Sequence, residues 1–215
     1  AMARDLAGDY DVTVIDVSDE RNKLLAETYD ITTRTADLSK AENLLNAIEG
    51  ADLVVGAVPG FMGYSTLKKV IETGKNIVDI SFFEQDPFLL DDLAREKGVV
   101  AITDCGVAPG MSNMILGHYN DIMTVHSFRC YVGGLPRART LPYEYKAPFS
   151  PVDVVEEYTR PARLMEGGEV VVKPPMSEPE LLEFSGIGTL EAFNTDGLRT
   201  LVKTMEVPAM AEKTL

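Results

Sequence analysis

Short runs of aliphatic and β-branched residues alternate with longer amphipathic stretches over the first half of the chain, from Asp11 to Thr103. The runs VTVIDV, DLVVGAVPG, NIVDIS and VVAIT predict strands, with DLVVGAVPG buried, whereas RNKLLAETY, YSTLKKVIETG and FLLDDLAREK predict helices. Ser39 with Glu42 predicts a capping box, and Asp86 with Pro87 predicts an N-cap and a first-turn proline. This alternation is typical of βα units on a parallel sheet.

The pattern changes after Asp104. SFRCYV alternates, EGGE predicts a tight turn between ARLM and VVVK, and LLEFSG and GTLEAF predict further strands. Ser150 and Pro151 predict a helix over VDVVEEY, and Thr195 predicts the start of a helix over DGLRTLVKTM. We therefore expect an α/β protein with a Rossmann-type domain over 1–104 and an antiparallel α+β domain over 105–215.

Composition and charge narrow the classes of partner. The chain has 215 residues, is 45% hydrophobic and 25% charged, and carries a formal net charge of −14, which argues against nucleic-acid and anionic-membrane partners. We expect a cytoplasmic protein. Two cysteines, Cys105 and Cys130, and two histidines, His118 and His126, lie at no metal-ligand spacing. We therefore expect neither a disulfide nor a metal site.

Asp16 ends its predicted strand at the position where a Rossmann acid accepts hydrogen bonds from the adenosine ribose. A carboxylate there favours NAD and makes NADP less favourable, because it repels a 2′-phosphate. The alternative is an acid in a solvated turn beside Ser18 and Asp19. The glycine fingerprint would lie about 20 residues before Asp16, ahead of Ala1. We expect that the sequence lacks its first strand and glycine loop; a chain that truly starts at Ala1 would make dinucleotide binding doubtful.

The small residues of GAVPG end the third predicted strand, where a backbone can approach a ribose or nicotinamide closely. A plain strand-to-helix turn would need the same residues. The candidate cofactor contacts are Asp16, Asp37, Leu38, Gly56, Ala57, Val58, Pro59, Gly60 and Ser81.

The segment DCGVAPGMSN, residues 104–113, resembles the saccharopine dehydrogenase family, and within it the L-lysine 6-dehydrogenase branch. VVGAVPGFMG, NIVDISF, YVGGLP, FSPVDVVEEYTRPARL and GIGTLEAFNTDGLRTL resemble family segments in the same order, so the resemblance covers nearly the whole chain. It implies NAD(P)-dependent oxidation of an amino-acid amine, with the second domain shaping the substrate site and a homodimer contact. The chain departs from the pattern by lacking the glycine loop and by stopping at EKTL, where family members run on.

Asp79 and Asp104 end predicted strands on the ligand side of the sheet, and are the candidate catalytic residues. Either could bind a substrate ammonium or act as general base, and the alternative for each is a helix cap or turn acid. The helix after GVAPG could receive a substrate carboxylate, although this segment could also be a rigid domain-crossing turn. Tyr143, Tyr145, Lys146 and Phe149 lie in a loop that could close over the substrate. The candidate substrate contacts are Phe82, Cys105, Gly106, Pro109, Gly110, Met111, Tyr145 and Lys146.

Three functions remain open on the sequence. The first is oxidation of the side-chain amine of L-lysine to 2-aminoadipate 6-semialdehyde; the second is a saccharopine or carboxynorspermidine dehydrogenase. A convergent cluster drawn from Arg129, Arg137, Arg139, Arg160, Arg163 and Arg199 would favour saccharopine, which has several carboxylates. A small cleft with one anion site and an acid would favour lysine. The third is a non-catalytic dinucleotide-sensing protein.

Overall fold

The computed structural model describes residues 1–142, 144–146 and 150–215. In the first half the strands and helices alternate along the chain as predicted. The strands are β1 (Thr13–Asp16), β2 (Thr32–Thr35), β3 (Leu53–Gly56), β4 (Asn76–Asp79) and β5 (Ala101–Ile102). The helices are α1 (Met2–Leu6), α2 (Asp19–Tyr29), α3 (Ala41–Ile48), α4 (Gly60–Glu72), a 3₁₀ turn (Pro87–Leu90) and α5 (Asp91–Lys97).

These strands form two parallel sheets, β1-β2 and β3-β4-β5. In the doubly wound strand order 3-2-1-4-5-6, the first strand lies between the second and the fourth. With β1 as the second strand and β3 as the fourth, one edge of each would face the first strand. No described strand pairs with either of those edges. Leu53 and Val55 of β3 are 53% and 41% exposed, so the prediction of a buried strand is wrong at these two positions.

The core of the first half lies between α4 and its sheet. Leu67, Val70 and Ile71 on one face of α4 are at most 1% exposed and pack with Ile77 of β4 and with Phe83. The spacing of these three residues in the sequence had predicted this face, which is confirmed. Buried aliphatic contacts of this kind supply the main driving force for folding.

Of two predicted helix starts, the structure confirms one and contradicts the other. Asp86 caps the 3₁₀ turn by accepting the Phe88 N–H at 3.0 Å, as predicted. The capping box of Ser39 is wrong, because α3 begins at Ala41 without a side-chain cap. The Ser39 hydroxyl instead donates to Asp37 Oδ1 at 2.6 Å, so that it closes the preceding turn.

In its described residues the second half contains one mixed sheet with three helices. Its strands are β6 (Phe128–Val132), β7 (Ala162–Glu166), β8 (Glu169–Lys173), β9 (Glu180–Phe184), β10 (Gly188–Asn194) and β11 (Met210–Thr214), and its helices are α6 (Met111–Ile122), α7 (Pro151–Glu157) and α8 (Leu201–Thr204). The order is β8-β7-β11-β10-β9, and β6 also pairs with β11. The β6–β11 pair is parallel, so the expected antiparallel region is a mixed sheet. The predicted fold class, a Rossmann-like domain followed by a C-terminal domain, is confirmed.

The predicted helix over DGLRTLVKTM is wrong at its start, because α8 begins only at Leu201. The residues before it are held by tertiary contacts instead of helical ones. The Thr195 hydroxyl bonds that of Thr214 at 3.1 Å, Asp196 pairs with Arg163 at 2.7 Å, and Arg199 has a φ of 44°. None of the helices in the described ranges has the length and apolar character required to cross a bilayer.

Replacing Leu67 with Ala removes buried methyl groups from the α4 core and leaves a cavity. We expect it to lower the free energy of unfolding by about 2–5 kcal/mol, as measured by urea denaturation. Leu24→Ala on α2 is the matched control, because Leu24 is 65% exposed, and it should change the free energy by less than about 0.5 kcal/mol. Equal losses for both variants would contradict this assignment of the core.

Candidate active site

The carboxyl ends of β3, β4 and β5 lie side by side. The Ile80 N–H donates to the Gly56 carbonyl at 3.0 Å, and the Cys105 N–H donates to the Asp79 carbonyl at 3.1 Å. A Cβ on Gly56 would lie 2.2 Å from Asp79 Oδ1, so β3 can pass this carboxylate only as glycine. The end of β3 therefore forms one wall around Asp79.

Asp79 is a buried carboxyl group with one oxygen free of described partners. Only 2% of the surface of Asp79 is exposed to solvent. Oδ1 accepts the Ser81 hydroxyl at 2.8 Å and the Ser81 N–H at 3.3 Å, whereas buried Oδ2 has no hydrogen-bond partner among the described residues. Burial raises the pKa of Asp79 to about 6, against the lowering effect of the Ser81 hydrogen bonds. A carboxyl group with these properties can exchange a proton near neutral pH.

Asp104, in contrast, has partners on both oxygens. Arg199 Nε donates to its Oδ1 at 2.5 Å, and Thr200 donates to its Oδ2 through the hydroxyl at 2.9 Å and the N–H at 3.2 Å. The side chains of Asp104 and Arg199 are 1% and 2% exposed. This buried ion pair joins the two halves of the chain. These contacts favour a structural role, and a catalytic role for Asp104 stays a prediction.

Phe82 lies between two guanidinium groups at the junction of the halves. The Arg160 and Arg199 guanidinium carbons lie 4.7 Å and 5.1 Å from the centre of its ring, within the range of cation–π attraction. Arg160 and Arg199 also donate to the carbonyls of Phe82 and Phe83. Phe82 is therefore part of the packing between the halves, and its contact with a substrate stays a prediction.

Each arginine of this region is paired with an acid of its own. Arg160 pairs with Glu156 on α7, Arg163 with Asp196, and Arg199 with Asp104. Arg139 lies elsewhere and donates to the Ile187 carbonyl at 2.8 Å. Among the described residues, Arg160, Arg163 and Arg199 thus lie in one region, but an acid of this chain already neutralises the charge of each.

The turn at Gly60, predicted to contact the cofactor, touches the second half. The Gly60 N–H at the start of α4 donates to Asp153 Oδ1 of α7 at 3.1 Å. A Cβ on Gly60 would lie 2.2 Å from the Phe82 carbonyl oxygen. Asp153 was missed by the sequence reasoning, because it reads as an ordinary first-turn acid of α7 and its partner is far away in the chain.

The GVAPG loop folds back on itself before α6. The Gly106 N–H donates to the Pro109 carbonyl at 3.0 Å, and the Met111 N–H donates to the Gly106 carbonyl at 2.9 Å. The Ser112 N–H donates to the Val107 carbonyl at 3.2 Å. Gly110 has a φ of 142°, and a Cβ there would lie 1.9 Å from the Gly106 carbonyl oxygen. Two of the first amides of α6 are thus engaged inside the loop, and a substrate carboxylate would have to displace those bonds.

The other predicted cofactor contacts lie at two places on the carboxyl edge. Asp16 ends β1, where its Oδ1 accepts the Ser18 N–H at 2.8 Å and its other oxygen makes no described hydrogen bond. Asp37 accepts the Ser39 N–H at 3.1 Å, and Leu38 packs on the core. Gly56 and Ser81 lie against Asp79, and Ala57, Val58, Pro59 and Gly60 continue the chain from β3 into α4. These residues fit a dinucleotide, because Asp16 can accept from a ribose hydroxyl and Gly56, which has no side chain, ends β3 beside the Asp79 carboxyl group.

The predicted closing loop is described in part. Tyr145 lies beside Tyr158, whose pKa is raised by burial and by that neighbour. The Lys146 N–H donates to the Gly134 carbonyl at 3.1 Å, while its side chain is exposed. No described hydrogen bond joins either side chain to Asp79. Tyr143 and Phe149 lie outside the described residues.

Glu212 is a buried acid that the sequence reasoning missed. It is 2% exposed, its Oε2 has no described partner, and burial raises its pKa to about 8, with a further contribution from Glu157. The strand β11 that carries it was not predicted, because MAEKT reads as a polar segment. Over the described ranges, no group of three or more His, Cys, Asp or Glu residues is placed to hold a metal ion.

The two parallel sheets with acids at their strand ends define the class, a Rossmann-like α/β fold. The family model described as the saccharopine dehydrogenase NADP binding domain matches residues 1–102, and that of the saccharopine dehydrogenase C-terminal domain matches 106–215. The chain belongs to the saccharopine dehydrogenase family, so this resemblance is confirmed. The placement in the lysine 6-dehydrogenase branch stays a prediction.

Relatives in sequence have related descriptions. The mitochondrial alpha-aminoadipic semialdehyde synthase of Rattus norvegicus is 29% identical over 164 residues, which are 72% of this chain and 18% of that protein. The NADP(+), L-glutamate-forming saccharopine dehydrogenase of Schizosaccharomyces pombe is 26% identical over 144 residues, which are 63% of this chain and 32% of that protein. The chain thus spans less than two thirds of these relatives.

Solved structures share the fold. Apo saccharopine dehydrogenase (L-Glu forming) from Saccharomyces cerevisiae matches with a TM-score of 0.70 at 18% identity, over 99% of this chain and 52% of that one. Homospermidine synthase from Legionella pneumophila, in complex with NAD, matches with a TM-score of 0.59 at 12% identity, over 97% of this chain and 61% of that one. At these identities the likeness shows the fold alone.

Asp104→Asn tests the structural role of the buried ion pair. Because it leaves the Arg199 charge buried without its partner, we expect the free energy of unfolding to fall by about 3–5 kcal/mol, as measured by urea denaturation. Asp19→Asn is the control, since Asp19 forms an exposed pair with Lys23 and should show no measurable change. If Asp104→Asn is as stable as the unmodified protein, the pair does not hold the halves together.

Proposed function

We propose that this chain is part of an NAD(P)-dependent dehydrogenase that oxidises the side-chain amine of L-lysine to 2-aminoadipate 6-semialdehyde, with Asp79 as general base. Asp79 is the observation that carries the proposal: a buried carboxyl at the carboxyl edge of the sheet, with a free oxygen and a pKa raised to about 6. The family membership supports the oxidoreductase class.

The pairing of the arginines supports a substrate with few carboxylates. A substrate with three carboxylates would require several guanidinium groups free to bind them. Arg160, Arg163 and Arg199 are each neutralised by an acid of this chain. Lysine brings one carboxylate and two ammonium groups, which suits a region rich in acids.

In the proposed reaction Asp79 carries out a proton transfer. A bound dinucleotide supplies the hydride acceptor when present. Asp79 Oδ2 takes a proton from the side-chain ammonium, and the neutral amine then loses a hydride from the adjacent carbon, leaving the substrate as an iminium ion. Water adds to that carbon, and ammonia leaves as the aldehyde forms. The residues that would hold the cofactor are Asp16 at the ribose and the Gly56–Gly60 turn beside the reacting carbon.

NAD is the proposed cofactor. The Asp16 carboxylate at the end of β1 would repel the 2′-phosphate of NADP. The matching family is described as NADP binding, and the homospermidine synthase structure holds NAD, so both cofactors belong in the assay. Cytoplasmic location and a homodimer stay predictions.

Saccharopine is the second candidate substrate, because the sequence relatives include saccharopine dehydrogenases. A non-catalytic dinucleotide sensor is the candidate from another class. It differs from both enzymes in a simple way, since it would bind NAD(P) without turnover on any amine.

The test is reduced-nicotinamide formation by the full-length protein with NAD or NADP and either L-lysine or saccharopine. Lysine-dependent formation is the expected result. Formation with saccharopine alone would support the second candidate, and cofactor binding without turnover would support the sensor.

Asp79→Asn should lower kcat by about 10²–10⁴-fold, because general-base catalysis contributes a factor of that size. In the unmodified protein kcat/KM should fall as the pH drops below about 6, since Asp79 then becomes protonated. Asp91→Asn, an exposed acid paired with Arg95, is the control and should leave kcat unchanged.

A stability measurement separates this loss from misfolding. The pKa of Asp79 is higher in the folded chain than its ordinary value of 3.8, so the folded state binds more protons between these values. Its ionisation therefore reduces stability as the pH rises through about 6. Asp79→Asn should be at least as stable as the unmodified protein at pH 7.5, whereas a lower unfolding midpoint would contradict this account.

A further inference from the structure

Glu212 of β11 lies against the segment that carries Arg199. Its backbone carbonyl accepts the Thr195 N–H at 3.2 Å, and its carboxyl group packs on Gly197, where a Cβ would overlap both carboxyl oxygens. Only glycine at position 197 therefore leaves room for this side chain. Arg199 follows in the same segment, so Glu212 is packed against the part of the second half that reaches across to the first.

The ionisable groups around Glu212 come from every element that surrounds the junction. Those whose charges act on it lie on α7, after β5 and before α8; they are Asp104, Glu157, Asp196 and Arg199. Cys130 of β6 lies opposite Glu212 in the strand register, and its thiol senses the Glu212 charge. Three acids and one arginine therefore face a single buried carboxyl group.

The charges of this cluster balance only while Glu212 holds a proton. Arg199 neutralises Asp104, and Arg163 neutralises Asp196. Glu212 forms no ion pair among the described residues, and burial raises its pKa to about 8. It is therefore neutral at pH 7, and its ionised form would add an uncompensated charge to the junction.

Arg199 has a spare donor in this cluster. Its Nε donates to Asp104 and its Nη1 to the Phe83 carbonyl, whereas buried Nη2 has no hydrogen-bond partner among the described residues. Glu212 Oε2 is a second buried atom without a described partner. Arg199 also has a φ of 44°, a conformation that only its surroundings can maintain. A carboxylate binds a guanidinium group far more strongly than a neutral carboxyl group does, so the proton on Glu212 limits its attraction for Arg199.

We propose that Glu212 is a proton-controlled switch for the contact between the two halves. With its proton, Glu212 leaves Arg199 to Asp104, and the junction is closed. When the proton is lost to solvent, the carboxylate attracts Arg199 and repels Asp104, which weakens the pair that joins the halves. The switch does not depend on the proposed function, because it acts on the contact between the halves and not on the reaction at Asp79.

The direction of the pH dependence follows from the pKa of Glu212. Burial raises this pKa from its ordinary value of 4.5 to about 8 in the closed junction. Opening returns the carboxyl group to water, so the closed state binds more protons than the open state between these two values. Closure is therefore strongest below 4.5 and is lost progressively as the pH rises to about 8.

Native-state hydrogen exchange of the full-length protein measures this opening. The Thr200 and Gly60 N–H groups report on the junction, because they donate to Asp104 and Asp153 across it. The Ile77 N–H reports on global unfolding, because it donates to the Val100 carbonyl inside the first half. Exchange through local opening is thereby distinguished from exchange through unfolding of the whole chain.

The comparison is made between about pH 6.5 and about pH 8, an interval above the pKa of Asp79. After correction for intrinsic exchange rates, the protection of Thr200 and Gly60 should fall at least about fivefold across it, and that of Ile77 should fall less. Equal falls at all three amides would overturn the proposal, because Glu212 would then affect only global unfolding. Unchanged protection at Thr200 and Gly60 would overturn it as well.

Glu212→Gln keeps the shape and the neutrality of the protonated acid but cannot ionise, so this variant should fold. In it the protection of Thr200 and Gly60 should fall by less than about twofold over the same interval. Glu206→Gln is the matched control, since Glu206 is exposed after α8 and the variant should retain the full effect. A fall in Glu212→Gln as large as that in the unmodified protein would overturn the proposal, because another group would then control the junction.

Discussion

The buried ion pair between Asp104 and Arg199 determines how the two halves of this chain meet. It joins Asp104, two residues after β5, to the segment before α8, and both side chains are almost inaccessible to water. Charges removed from water in this way are stable only with close partners, and here Thr200 donates to Asp104 while the Phe83 carbonyl accepts from Arg199. Arg199 Nη2 has no hydrogen-bond partner among the described residues. The position of Phe82 between Arg160 and Arg199, and the contact of Gly60 with Asp153, depend on the same junction.

The junction also separates two acids that look equivalent in the sequence. Asp79 ends the parallel strand β4 and Asp104 follows the parallel strand β5, and the N–H of Cys105, the residue after Asp104, donates to the Asp79 carbonyl. The ion pair uses both oxygens of Asp104, whereas Asp79 keeps one oxygen free and a pKa raised to about 6 by burial. Two carboxyl groups close in space thus have different tasks: one holds the halves together, and the other is available for proton transfer.

The features that could be predicted from the sequence are those set by local pattern. The spacing of Leu67, Val70 and Ile71 predicted the buried face of α4, and the βα alternation placed Asp79 at the ligand edge of the sheet. The role of Asp104 could not be predicted, because its partner lies 95 residues away in a segment whose pattern indicates a helix. Strand β11 escaped prediction because Glu212 and Lys213 look like surface residues, although Glu212 is buried and Lys213 donates to the Glu178 carbonyl.

The ionisation of Asp79 is the property on which the proposed chemistry most directly depends. It can be measured by following the ¹³C signal of the Asp79 carboxyl group through a pH titration, with the signal assigned by its loss in Asp79→Asn. The structure predicts a midpoint of about 6, as expected for a buried carboxyl with a free oxygen. A midpoint at the ordinary value of 3.8 would contradict the account, because Asp79 would then be a solvated acid and not a base prepared by burial.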